Sequence, residues 1–171
     1  MTTLYRADDP GLLASVLSGE GVHLEPGAIL DGLTDDQAHA KPHGLPHSIA
    51  DIVAHICYWQ EWFNQCAVAG FTGIAKHAAD GWPAVPPDGW QALRTRYIHS
   101  IAEAKRIGAA KTDSLGNPML PPGFDIPSLA NESLGAGLLH AAVHSSHHLG
   151  QIITIRQLLN LWPPPAGTLT W

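Results

Sequence analysis

Residues 137–165 read GLLHAAVHSSHHLGQIITIRQLLNLWPPP, and the way this stretch winds decides the fold. At about 100° per residue of α-helix, His140, His144, His147, His148 and Gln151 fall within an arc of roughly 80–100°. Ile152, Ile155, Leu158 and Leu159 continue on the same side. A histidine stripe collinear with an apolar stripe is expected to face the interior. Imidazoles aimed at a core are hydrogen-bonded, buried neutral, or bound to something.

Three further helical stretches precede it. Ser48 with Asp51 forms a capping-box pattern that opens a helix running to about Ala69. Ser48, Asp51, Ile52, His55, Tyr58, Trp59, Trp62, Phe63 and Cys66 share one face, with His55 at its middle. Ala50, Val53, Ala54, Cys57, Gln60, Glu61 and Asn64 share the other, and Gly70 and Gly73 end the helix. Asp88 with Gln91 is a second such pattern, after which Trp90, Leu93, Tyr97, Ile101 and Ala104 repeat at bundle spacing to about Gly108. Residues 1–33 read as an interrupted helix: Leu12, Leu13, Val16 and Leu17 make an apolar face, Gly19 and Gly21 weaken it, and Pro26 restarts it. His23 lies at the break.

The connectors are stiff. Residues 41–46 (KPHGLP) cannot continue a helix, 81–87 (GWPAVPP) make an ordered loop, and 117–124 (NPMLPPGF) form a long proline-rich crossing. Pro163, Pro164 and Pro165 are expected to stop the last helix. With no internal repeat and no strand pattern, the chain is expected to be all-α. It reads as one antiparallel four-helix bundle with one long crossover, a single domain over residues 1–171.

Composition narrows the function classes. Charged residues are 14% against a usual value of roughly 25%, while apolar residues reach 45%. So little charge beside so much apolar surface points to burial beyond one core, hence a homodimer, which light scattering distinguishes from a monomer. A net charge of −6 without a basic run argues against nucleic acid. No run of eighteen apolar residues and no signal-peptide core argue against a membrane, and two cysteines without a CxxC fit a cytoplasmic location.

Eleven histidines placed at random would give roughly one pair four residues apart, or fewer. Four such pairs occur. His39/His43 and His43/His47 straddle Pro42, Gly44 and Pro46, so their spacing has no helical meaning. His140/His144 and His144/His148 lie on the last helix, where a four-residue spacing lets two imidazoles hold one ion. Buried, hydrogen-bonded histidines are the competing reading. A third ligand must come from another helix, and His55 is centred on the core-facing stripe there. Three neutral imidazoles with open positions suit a catalytic zinc or a related divalent transition ion rather than a closed structural site.

The segments HSIADIVAHICYWQ (47–60) and HSSHHLGQIITIRQLLNLWPPP (144–165), in that order, resemble the DinB/YfiT-like four-helix-bundle metalloproteins. The resemblance spans nearly the whole chain. It implies a bundle, usually dimeric, with one zinc, nickel or similar ion held by His55, His144 and His148. Characterised branches of that family are thiol S-transferases and isomerases that use bacillithiol, mycothiol or glutathione. The expectation is therefore a metal-dependent enzyme on a small-molecule substrate, most simply a thiol S-transferase in which the ion lowers the pKa of a bound thiol. A metal-dependent hydrolase acting through bound water and a non-catalytic, metal-stabilised dimeric binding protein are the alternatives.

Around the three histidines stand residues with two readings each. His140 and His147 either contact the ligands or substrate, or are buried against backbone partners. Asp51 either orients His55 or caps its helix. Tyr58 and Trp59 line a substrate pocket or belong to the core, and His23 is a further candidate at the first helix break. Gln151 joins the ligand shell or a helix–helix contact, while Arg156 reads as a surface or dimer charge. Cys57 faces away from His55, and Cys66, eleven residues along, is too far for a Cys–His nucleophile.

Overall fold

The computed structural model describes residues 10–71, 73–74, 77–110, 112–119 and 132–167. Among these, six α-helices follow in chain order: α1 (Pro10–Ser18), α2 (Pro26–Ile29), α3 (Asp35–His39), α4 (Ile49–Ala69), α5 (Trp90–Ala110) and α6 (Leu134–Leu158). The four longest close a ring: α4 packs between α5 and α6, and α1 closes the ring against those same two. Short α2 touches α6, and α3 touches α4 and α5. The fold is an all-α bundle; among the described residues a lone bridge joins Pro118 and Ser133, and no strand forms. No helix of the described residues is long and apolar enough to cross a membrane. Most of the proline-rich crossing lies outside the described residues.

Helix α4 starts where its capping box places it. The Asp51 N–H donates to Ser48 Oγ at 3.1 Å, and the Ser48 N–H donates to Asp51 Oδ2 at 2.9 Å. It is buried on both faces because α5 and α6, the other two long helices, both pack against it. Its second face bonds to α5: Gln60 Nε2 donates to Asn64 Oδ1, and Asn64 Nδ2 donates to the Ser100 carbonyl at 2.8 Å.

Helix α5 begins at Trp90, not at Asp88, and the expected Asp88–Gln91 box does not form. Its N-terminus is capped from α3, where Asp35 Oδ1 accepts the Trp90 N–H at 3.0 Å. Gln91 instead donates to the Leu33 carbonyl. Helix α3 itself carries a complete capping box between Thr34 and Gln37, a T-x-x-Q signal legible in the sequence.

Two expectations for α6 need correction. The prolines do not stop it. Asn160, at φ 57°, turns the chain left-handed first, and the Leu161 and Asn160 N–H groups return to the Arg156 and Gln157 carbonyls at 2.8 and 3.1 Å. This is a Schellman closure completed before Pro163 is reached. Nor does the histidine arc face the core centre. The buried positions include Leu138, Ala141, Ala142, Ser145, His148, Leu149, Ile152, Ile155 and Arg156, centred roughly 130° round the helix from His140. His140, His147, Gln151 and Leu158 are exposed, so the stripe sits on the edge between core and solvent. Arg156, read as a surface charge, is instead 2% exposed. Its guanidinium donates to the carbonyls of Ile29, Asp31 and Leu161 and lies 5.7 Å from the Trp162 ring.

Candidate metal centre

Helix α4 brings His55 against α6, where His144 and His148 lie one turn apart. His144 Nε2 is 3.2 Å from His55 Nε2 and 3.1 Å from His148 Nε2. The ligand atoms of all three lie within 4.8 Å of one another, and no carboxylate or cysteine joins them among the described residues. Nitrogens about 2.05 Å from a common ion stand about 3.3 Å apart in a tetrahedron and about 2.9 Å apart at right angles. The two separations from His144 lie between these values, and the His55 and His148 ligand atoms stand within 4.8 Å of each other.

The other ring nitrogens fix the tautomers. His55 Nδ1 is 2.6 Å from the Gly81 carbonyl, and His148 Nδ1 is 2.7 Å from Gln151 Oε1. Both oxygens only accept, so both Nδ1 atoms carry hydrogen and both Nε2 atoms present lone pairs. Lone pairs converging on His144 Nε2 require a proton or a cation between them. The donor set therefore fits a divalent transition ion.

Burial holds all three imidazoles neutral. It is the first cause of the lowered pKa of His55 and His148, and it pushes His144 down to about 4 with help from neighbouring His148 and His55. The folded chain thus resists a proton that the unfolded chain accepts near pH 6.5. Stability is full above that value and declines as pH falls toward about 4. Thermal melts of chelator-treated protein should show the melting temperature dropping through this window; a flat profile would refute the assignment.

The centre has a roof built from a loop. Trp82 stacks on His55 with centroids 3.9 Å apart and rings 12° from parallel, and its other face stacks on His47 at 3.9 Å. The 3-10 turn Ala78–Gly81 delivers the Gly81 carbonyl to His55, and Gly81 packs closely against the Trp59 indole. A Cβ there would stand 2.9 Å from Trp59 Nε1.

The remaining sequence candidates distribute around this point. Asp51 is spent on the α4 cap and an ion pair with Lys41 at 3.0 Å. Gln151 bridges the outer side of His148 to His147, whose Nε2 lies 3.3 Å from Gln151 Nε2. His140 is exposed and stacks on Phe63, while Tyr58 and Trp59 are half-buried, with Trp59 beneath Gly81. His23 lies away from the centre, beside Ser146, Gly150 and Gln157 on another face of α6. Its Nδ1 donates to the Leu24 carbonyl, and its ring occupies the space that a Cβ on Gly19 (φ 73°) would take. Cys57 is buried, its thiol pushed up to about 12 chiefly by that burial, and Cys66 is buried as well. Sequence reasoning missed Trp82, His47 and Gly81, which carry no periodicity; the signal available was a tryptophan inside a loop stiffened by prolines.

The family model described as the DinB superfamily matches residues 28–152, most of the chain and all three histidines. No curated protein and no solved structure matches the chain significantly.

Proposed function

The chain belongs to the DinB superfamily, and on that premise we propose that it is a metal-dependent enzyme acting on a small molecule. His55, His144 and His148 hold a divalent transition ion such as zinc or nickel. The observation that carries this is the convergence of three neutral Nε2 atoms on one point at the edge of the core. When bound, such an ion supplies the Lewis acidity that makes a thiol or a water a nucleophile at neutral pH.

The chain's own residues then divide the work. Gly81 and Gln151 hold two imidazoles in the Nδ1–H tautomer, so that no donor needs to lose a proton near neutral pH. Trp82 shields one face of His55 from water. Half-buried His144 leaves one side of the cluster open to an incoming molecule. No Asp or Glu of the described residues joins the cluster to serve as a general base for water. That favours thiol transfer of the bacillithiol, mycothiol or glutathione type, since a thiol on a Lewis acid ionises without a separate base.

The test is to measure metal content and then assay loaded protein with an electrophile and each thiol in turn. About one ion per chain and thiol-dependent conjugation are expected. Absence of both retained and titratable metal would refute the proposal. Hydrolysis without thiol would replace the transferase reading, and metal binding without turnover would point to a binding protein.

A further inference from the structure

We infer that the cavity beside the metal centre is the subsite for the apolar part of an uncharged, hydroxyl- or N–H-bearing substrate. Its role as a substrate subsite rests on the metal-dependent reading above; the cavity's preference for a ligand does not. The cavity has a volume of about 230 Å³, some eight water volumes. Leu45, Pro46, Ile52 and Ile155 give it apolar walls, and His47, Gln151 and Thr154 are its polar members.

Its position follows from the helices. Ile52 lies one turn before His55 on α4, and Gln151 and Ile155 lie about one and two turns beyond His148 on α6. The cavity thus extends the α4–α6 groove away from the three histidines. One of its walls touches the ligand set and a second reaches it through Trp82. Gln151 Oε1 takes the His148 Nδ1 hydrogen, and His47 stacks on Trp82, which stacks on His55.

Charge and hydrogen bonding narrow the occupant. No Lys, Arg, Asp or Glu of the described residues lines the cavity. The nearby Lys41 is closed on Asp51 at 3.0 Å and on the Pro46 carbonyl at 3.3 Å. An anionic body placed there would lose water without gaining a counter-charge. Thr154 donates its hydroxyl hydrogen to the Gly150 carbonyl, so toward the cavity it can only accept. Gln151 Oε1 is likewise an acceptor, already taking the His148 Nδ1 hydrogen, while Gln151 Nε2 and the His47 ring N–H are uncharged donors. A ligand bringing a hydroxyl or N–H on a short hydrocarbon body satisfies these walls.

The probes are the n-alcohols from propanol to hexanol, with hexanoate as the charged match, titrated by NMR into metal-loaded and metal-free protein. Binding should strengthen about fourfold per methylene until the cavity is full, and hexanol should bind at least tenfold more tightly than hexanoate. Thr154→Trp, at an exposed rim position, should abolish hexanol binding and leave metal content unchanged. Leu45→Ala, which removes one wall, should weaken hexanol severalfold. Affinity independent of chain length, hexanoate binding as well as hexanol, or an unaffected Thr154→Trp variant would each overturn the inference. Hexanol binding that Thr154→Trp removes, in a protein that takes up no metal, would uphold the cavity's preference and sink the metal-dependent reading alone.

Discussion

His148→Ala is expected to lose the metal and keep the fold. Removing one of three nitrogen donors should weaken binding by more than the roughly 10–100-fold typical of losing a residue that merely supports a ligand. The bundle should survive because its core is built elsewhere. Trp90, Tyr97, Leu138, Leu149 and Ile152 are fully buried core residues outside the ligand set, and the capping boxes of α3 and α4 use none of its histidines. Metal analysis and circular dichroism, each with and without chelator, read out both halves. Loss of helical signal in chelated wild type would mean that the ion holds the fold together, as in structural sites. Undiminished metal content in the variant would shift the ligand set to His140 and His147.

The second large effect is expected far from the ion. Arg156→Met should lower stability by about 3–5 kcal/mol, because it strips a buried charged donor from the Ile29, Asp31 and Leu161 carbonyls. At this chain length that corresponds to a fall in melting temperature of roughly 6–20 °C. The loss should be structural: α6 comes loose from the turn after α2, while the three histidines, two or more turns away, keep their ion. Urea or thermal melts check the size, and metal titration checks the separation. A loss below about 1 kcal/mol would show that the methionine's packing offsets the missing hydrogen bonds, as happens at some buried ion pairs.

These two residues also show where a sequence speaks. His55, His144 and His148 were legible because helical periodicity is a property of a stretch, and it placed each on a shared face before any packing was known. The same periodicity misled for His140, His147 and Leu158, since an arc drawn on one helix does not show where its neighbours stand. The buried side lies further round α6 than the apolar positions after His148 suggested. Arg156 was illegible for another reason: an arginine in a last helical turn ordinarily faces water, and only the carbonyls of a distant segment draw it inward. Trp82 and Gly81 belong to a loop, where no period exists and the stack on His55 is purely tertiary. Asp88 and Gln91 had the spacing of a cap, but Asp35 reached the Trp90 N–H instead.

His55 and His144 stand 89 residues apart, and two of the three donors belong to the last helix. A ribosome makes them in that order, so no nascent chain can grip an ion between them until α6 has emerged and settled against α4. On the proposed reading, loading would therefore follow the docking of α6 on α4. An ion held there would be chosen by a completed pocket and not by the first histidine to appear.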